Sequence, residues 1–224
     1  MCSFTKLNKQ RKIAFTLAEV LITLGIIGIV AAMTMPALIA NHKKKSTAVK
    51  VKKAYSVVSQ ALTRAQLDYG GMETWEYLSF NDDKVEERRN ASKMFAATYL
   101  KPYVNAIRYE ENSTKKVNNL NMTTPQIYLS DGTSLFINTG SCYDILVDIN
   151  GDKNPNEGGR DVFAFYLCKE GSSEFPKFYT YGNRNNTDRE TLKSLCLSNT
   201  FHQSCTGLLE YDGWEFKDDY PIRL

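Results

Sequence analysis

One long apolar run near the N-terminus constrains this chain of 224 residues more than any other feature. From Phe15 to Ala40 the only ionisable side chain is Glu19. About 26 helical residues span about 39 Å at ~1.5 Å each, whereas the hydrocarbon core of a bilayer is about 30 Å thick. The run can therefore cross a membrane as a single helix. It is longer than the apolar core of about 7–15 residues found in a cleaved secretory signal.

The residues before this run form a basic leader. Residues 1–14 carry four basic side chains and no acidic one. Because lysine and arginine accumulate on the cytoplasmic side of membrane helices, we expect the leader to stay in the cytoplasm and the body to lie outside. Of the 28 basic residues, 24 lie beyond the leader, against 25 acidic ones. A near-neutral body gives no electrostatic reason to expect nucleic acid as a partner.

Glu19 is the most informative single residue of the apolar run. A carboxylate at the centre of a membrane helix costs about 2.5–3.5 kcal/mol, and less near the helix end, so such a group usually has a partner. The simpler interpretation is an interfacial glutamate in the first helical turn, favoured by the helix dipole.

The rest of the chain predicts further helices. Pro36 is expected to kink or locally open the first helix. Apolar residues then recur at helical spacing from Val51 to Ala65, which predicts an amphipathic helix over 41–68. A second helix is predicted over 84–101 and ends before Pro102.

The C-terminal half is predicted to be β-rich, over 126–216. The polar residues 110–124 are expected to form a loop, and Asp131-Gly132 is a strong hairpin turn. Residues 208–216 are predicted to be a last strand. The other predicted strands cover 126–130, 133–138, 142–149, 161–168 and 175–181.

Oxygen-bearing side chains cluster after the third of these strands. Asp148, Asn150 and Asp152 alternate on a turn that contains glycine, and Asp161 returns after a short loop. Such a spacing of oxygen ligands is typical of a calcium site, and the glycine position excludes an EF-hand. The alternative is a solvated loop between two strands.

Four of the five cysteines lie in the last 83 residues, beyond the apolar run. An even set in that position predicts two disulfides and an oxidising compartment. If 142–149 and 161–168 form a hairpin in which 149 pairs with 161, Cys142 faces Cys168 within disulfide range. Cys196 and Cys205 would then close a short C-terminal loop. The two other pairings of four cysteines remain open.

The strongest motif lies at the start of the apolar run. A basic leader precedes Ala14 and Phe15, Glu19 follows four residues after Phe15, and the apolar run leads to Pro36. This combination, over residues 11–62, resembles the processing site of type IV pilins and of type II secretion pseudopilins. The family usually has glycine where this chain has Ala14, so cleavage is expected at a lower rate.

The resemblance implies a role for each of these residues. The leader 1–14 would be removed between Ala14 and Phe15, and Phe15 would be N-methylated. Glu19 would pair with the terminal amine of a neighbouring subunit, while small residues such as Gly25 and Gly28 let helices approach closely. Comparable acidic loops occur in the family's pseudopilins, which favours calcium as a cofactor. Pilins often close a C-terminal loop with a disulfide, as Cys196–Cys205 would.

The predicted fold class is therefore α+β, with one long N-terminal helix packed on a small antiparallel sheet. Residues 15–40 would be the membrane and assembly half of that helix, and 41–224 a globular pilin-like domain. Two histidines and no catalytic motif predict a protein that is not an enzyme.

The predicted function is that of a structural subunit of a type IV pilus-like or type II secretion pseudopilus filament. The expected partners are other pilins, the prepilin peptidase and an inner-membrane assembly platform. The chain would be stored in the inner membrane with its body outside the cytoplasm, and then join a periplasmic or extracellular filament. The alternative is a monomeric calcium-binding surface protein or adhesin held by an uncleaved anchor.

Overall fold

The computed structural model describes residues 16–76, 85–140, 142–168, 177–183, 187–198 and 200–224. The chain divides into two compact units, Met1–His42 and Lys43–Leu224. A long helix and an antiparallel sheet with short helices make up the described residues, so the predicted α+β class is confirmed. Ala14 and Phe15, the residues of the predicted cleavage site, lie outside the described residues.

Helix α1 extends from Leu17 to Tyr69 and continues through Pro36. Residues 17–42 carry exposed apolar side chains, and this part of α1 is long and apolar enough to cross a membrane. In the second unit, α1 buries one residue in every three or four, as an amphipathic helix does. The buried residues are Thr47, Ala48, Val51, Ala54, Val58, Ala61, Leu62 and Ala65.

Within the described residues, six strands form one sheet in chain order, and each pairs antiparallel with the next. The strands are β1 (Ala106–Val117), β2 (Leu120–Leu129), β3 (Ser134–Thr139), β4 (Cys142–Asp148), β5 (Val162–Cys168) and β6 (Lys177–Thr180).

The first face of the sheet packs against the second half of α1. Alternate residues of each strand, such as Ile127, Ile137 and Ile145, join the buried residues of α1 in the main core. Helix α2 (Val85–Phe95) adds Phe95, whose ring stacks on Tyr143 at 3.8 Å between centroids. Because successive strand residues point to opposite faces, the intervening residues form a second face directed away from this core.

Helix α2 continues into one π-helical turn, Ala96–Leu100, and a 3₁₀ turn, Lys101–Tyr103. Pro102 lies at the start of this 3₁₀ turn, where its missing backbone N–H leaves no helical hydrogen bond unmade. The helical segment therefore occupies the region predicted from the sequence.

The loop predicted over 110–124 is wrong, because most of it belongs to the β1–β2 hairpin. Asn118 and Asn119 form the two-residue turn with φ of 46° and 67°. Positive φ at both central residues is the conformation of a type I′ hairpin turn, and asparagine tolerates it better than most residues. Strand β1 buries only Lys115 and Val117, so it lacks the apolar alternation by which strands are identified.

The last strand predicted at 208–216 is also wrong. Residues Cys205–Tyr211 form helix α4, which follows helix α3 (Arg189–Ser198). Leu208 packs with Leu192 of α3 in a small separate core, whereas Leu209 belongs to the main core. These two adjacent leucines face different cores because α4 lies between the main core and the small one.

Candidate functional site

Thr16 and Glu19 form a capping box at the start of α1. The backbone N and the Oγ1 of Thr16 donate hydrogen bonds to Glu19 Oε2 at 2.8 and 2.9 Å. The backbone N of Glu19 donates to Thr16 Oγ1 at 3.2 Å in return. This reciprocal arrangement satisfies donors that every helix N-terminus leaves unpaired. The pattern Thr-x-x-Glu could have been recognised in the sequence, where Glu19 was interpreted as an assembly residue or as an interfacial glutamate in the first helical turn, but not as part of a capping box.

The apolar half of α1 offers close approach at two glycines. Apart from the adjoining residues and backbone of its own helix, a Cβ atom added at Gly25 or at Gly28 would meet no described atom within 4 Å. Leu21, Leu24 and Ile27 beside them are each about 60% exposed. This surface can therefore be covered by lipid or by other helices.

Both predicted disulfides are present. Cys142 and Cys168 are directly opposite in the β4–β5 ladder, with their Cα atoms 4.5 Å apart. Cys196 and Cys205 join α3 to the start of α4, also with a Cα–Cα distance of 4.5 Å. The first pair depends on strand register alone, which is why the sequence could predict it.

The loop between β4 and β5 follows Asp148, the fully buried last residue of β4. Lys115 reaches it from β1, and its Nζ lies 2.5 Å from Asp148 Oδ2. The same ammonium donates to the carbonyl oxygen of Gly151. It also lies 4.0 Å from Asp152 Oδ1 and 4.6 Å from the centre of the Phe136 ring. Burial raises the pKa of Asp148 to about 6, although the hydrogen bond from Lys115 acts in the opposite direction.

Asp161 organises the far side of the loop. It accepts hydrogen bonds from the backbone N of Asn156 at 3.0 Å and from that of Glu157 at 2.6 Å. The side chain of Asn150 donates to the same carboxylate at 3.0 Å. Asp161 therefore uses its oxygens to hold the backbone of the loop.

The residues predicted to hold calcium, Asp148, Asn150, Asp152 and Asp161, do not fit that ion as they lie. The Lys115 ammonium already pairs with Asp148. Two nearby oxygens, Asn150 Oδ1 and Asn156 Oδ1, are buried without a hydrogen-bond partner among the described residues. In the described part of the chain, no three His, Cys, Asp or Glu side chains form a group that could hold a metal ion. Calcium binding stays a prediction.

Lys115 is the residue that the sequence analysis missed. It lies 33 positions from Asp148, within the stretch expected to be a loop. A lysine flanked by polar residues carries no local signal of burial. Recognising the β1–β2 hairpin at Asn118-Asn119 would have been the first step towards finding it.

In a comparison with known protein families, the N-terminal segment and the rest of the chain each match a family model. Residues 9–35 match the prokaryotic N-terminal methylation motif, which supports a type IV pilin-like family. Residues 37–224 match a family of unknown function, DUF6613. Comparison with curated proteins and with solved structures gives no match. The chain therefore belongs to the family DUF6613, and it begins with the N-terminal motif of type IV pilin-like precursors.

Proposed function

We propose that this chain is a structural, non-catalytic subunit of a type IV pilus-like or type II secretion pseudopilus-like filament. The methylation motif over residues 9–35, continuous with the exposed apolar half of α1, carries the proposal. The precursor is stored in the inner membrane and cut between Ala14 and Phe15 by a prepilin peptidase. It then joins other pilin-like subunits at an inner-membrane assembly platform.

The disulfides support a body that lies outside the cytoplasm. Cys142–Cys168 and Cys196–Cys205 both lie in the unit beyond the apolar helix. Disulfides persist in oxidising compartments and are rare in the cytosol. If the body lies outside the cytoplasm, a single membrane crossing places the basic leader in the cytoplasm, as its lysine and arginine residues favour.

Glu19 is proposed to act between subunits as well as within its own helix. Its hydrogen bonds with Thr16 use Oε2, and Oε1 has no hydrogen-bond partner among the described residues. A carboxylate accepts several hydrogen bonds, so Oε1 can receive the terminal ammonium of a neighbouring Phe15 while the capping box persists. An unpaired ammonium and an unpaired carboxylate would each be expensive in an apolar bundle, so the pair favours assembly.

The experiment separates the charge of Glu19 from its capping role. Glutamine can replace glutamate in a capping box, so Glu19→Gln keeps the cap and removes the charge. Thr16→Ala does the reverse, because it weakens the cap and keeps the charge. We expect cleaved protein at wild-type levels from both variants, but filaments only from Thr16→Ala.

Two readouts decide the outcome. Mass spectrometry of the processed chain should give an N-methylated Phe15 as the first residue. Filaments are sheared from strains in which this chain is the only pilin and are then counted. An intact leader would support a monomeric anchored protein instead. Abundant filaments from Glu19→Gln would remove the charge pair from the proposal.

A further inference from the structure

An open cleft of ≈490 Å³ lies in the globular unit, between the β1–β2 hairpin and the loop that follows β4. Its volume falls in the range of about 300–1,000 Å³ that small-molecule sites occupy. Gln126 of β2 reaches it from the second face of the sheet, because the neighbouring Ile127 points into the main core. The named side chains of its lining are all polar or charged.

Most of the charged groups at this cleft are already paired. Arg108 Nη2 donates to Asp152 Oδ2 at 3.1 Å, and Arg108 Nε lies 3.4 Å from Glu110 Oε1. The guanidinium lies 3.5 Å from the centre of the Tyr128 ring, and the Tyr128 hydroxyl donates to Asp152 Oδ1 at 3.2 Å. Lys115 is neutralised by Asp148. These contacts fix the positions of the charged side chains that line the cleft, and their opposite charges largely cancel.

Two buried amide side chains of the lining, Gln126 and Asn156, each have one atom without a hydrogen-bond partner among the described residues. Gln126 is 1% exposed, and its Oε1 accepts from Ser113 Oγ at 2.5 Å while its Nε2 has no partner among the described residues. Asn156 is 9% exposed, and its Oδ1 is likewise unpartnered. A serine hydroxyl can serve either end of an amide, so one end of Gln126 stays unpaired in either orientation. Leaving such groups unpaired when buried costs free energy.

We propose that this cleft binds a neutral polyhydroxylated ligand, a sugar unit of a glycan. The groups that lack partners are neutral, and they are a donor and an acceptor. A sugar hydroxyl donates and accepts at once, so one kind of group can serve both an unpaired amide N–H and an unpaired amide oxygen. An anion would instead require an unpaired cation in the cleft. Arg108 and Lys115 are engaged, which leaves the exposed Lys116 as the one unengaged cation of the described lining. This activity goes beyond a structural role in a filament.

The test uses the full-length chain in detergent micelles on an array of neutral and anionic glycans. Neutral glycans that bind are then titrated by calorimetry. Asp152→Asn and Tyr128→Phe both weaken the contacts that join Arg108, Tyr128 and Asp152 in the lining. Each should therefore raise the Kd for the glycan about tenfold or more. Gln126→Leu should do the same by removing the unpaired amide. The exposed Arg64 on α1 lies outside the cleft, so Arg64→Ala is the control and should leave the Kd unchanged.

Each remaining outcome overturns the proposal. Binding of anionic glycans alone, lost in Lys116→Ala, would identify an anion site. No binding to any glycan would mean that ordered water supplies the missing hydrogen bonds. Tyr128→Phe removes a single hydroxyl, so it separates a binding defect from a folding defect. Unchanged affinity in a folded Tyr128→Phe and a folded Asp152→Asn would place the ligand elsewhere.

Discussion

The Lys115 ammonium and the Asp148 carboxylate form a buried ion pair, with Nζ 2.5 Å from Oδ2. Their side chains are 7% and 0% exposed, and they come from β1 and β4. The pair connects the outer hairpin of the sheet to the loop that precedes β5. Removal of either partner would leave a buried charge without compensation.

Lys115→Met should therefore lower the free energy of unfolding by about 3–5 kcal/mol, as expected when one partner of a buried pair is removed. Methionine keeps much of the length of lysine and removes its charge. Chemical denaturation of the full-length chain in detergent measures the change. The neighbouring Lys116 is exposed, so Lys116→Met is the matched control and should stay within about 0.5 kcal/mol of wild type. Equal stability of the two variants would show that the pair contributes little.

Calcium gives a second test of the same loop. With Lys115 beside Asp148, we expect neither calcium nor chelator to shift the melting temperature of the wild type. Lys115→Met frees the carboxylate of Asp148, so its melting temperature should rise with calcium by mass action on the folded state. A calcium-dependent rise in the wild type would show that the ion displaces Lys115 and would support the site predicted from the sequence.

Asp144 predicts a pH dependence of stability. Burial raises the pKa of this half-buried carboxyl on β4 from 3.8 to about 7. Because the folded-state pKa is the higher one, the folded chain holds an extra proton between about pH 4 and 7, and stability falls as pH rises through that window. Asp144→Asn should therefore stabilise the chain at pH 8 by roughly 2–4 kcal/mol, at about 1.36 kcal/mol per pKa unit, with little effect at pH 4.

Thermal melts of the wild type and the variant at several pH values measure this difference. The side chain of Asp218 is fully exposed, so Asp218→Asn is the control and should leave the pH profile unchanged. Parallel profiles for wild type and Asp144→Asn would show that another group causes the pH dependence.

Gly28→Leu should separate assembly from folding. A Cβ atom added at Gly28 meets nothing within 4 Å beyond the adjoining part of its own helix, so α1 should form normally with leucine there. In a packed bundle the same side chain would hold neighbouring helices apart. We expect normal membrane levels and normal leader cleavage, but at least tenfold fewer sheared filaments. Ile26→Leu, which conserves volume, should assemble as wild type. Normal filament yield from Gly28→Leu would exclude close packing at this position.

Much of the architecture could be predicted because its signals are local. The apolar run and the helical spacing from Val51 to Ala65 determine α1, since one periodic pattern specifies a helix and its buried stripe. Cys142 could be placed opposite Cys168 because the register of the β4–β5 hairpin alone determines which residues face each other. The methylation motif is a contiguous pattern, so it too is determined by sequence alone.

Tertiary structure decided the features whose partners are distant in the chain. Strand β1 has no apolar alternation of its own, and it becomes a strand because β2 pairs with it along the edge of the sheet. Leu208 and Leu209 become helical because α4 lies between two cores, which no local pattern shows. Lys115 pairs with Asp148 only because the hairpin brings it there across 33 residues. A long-range ion pair is a property of the packed chain, whereas helical periodicity and strand register are already present in the order of the residues.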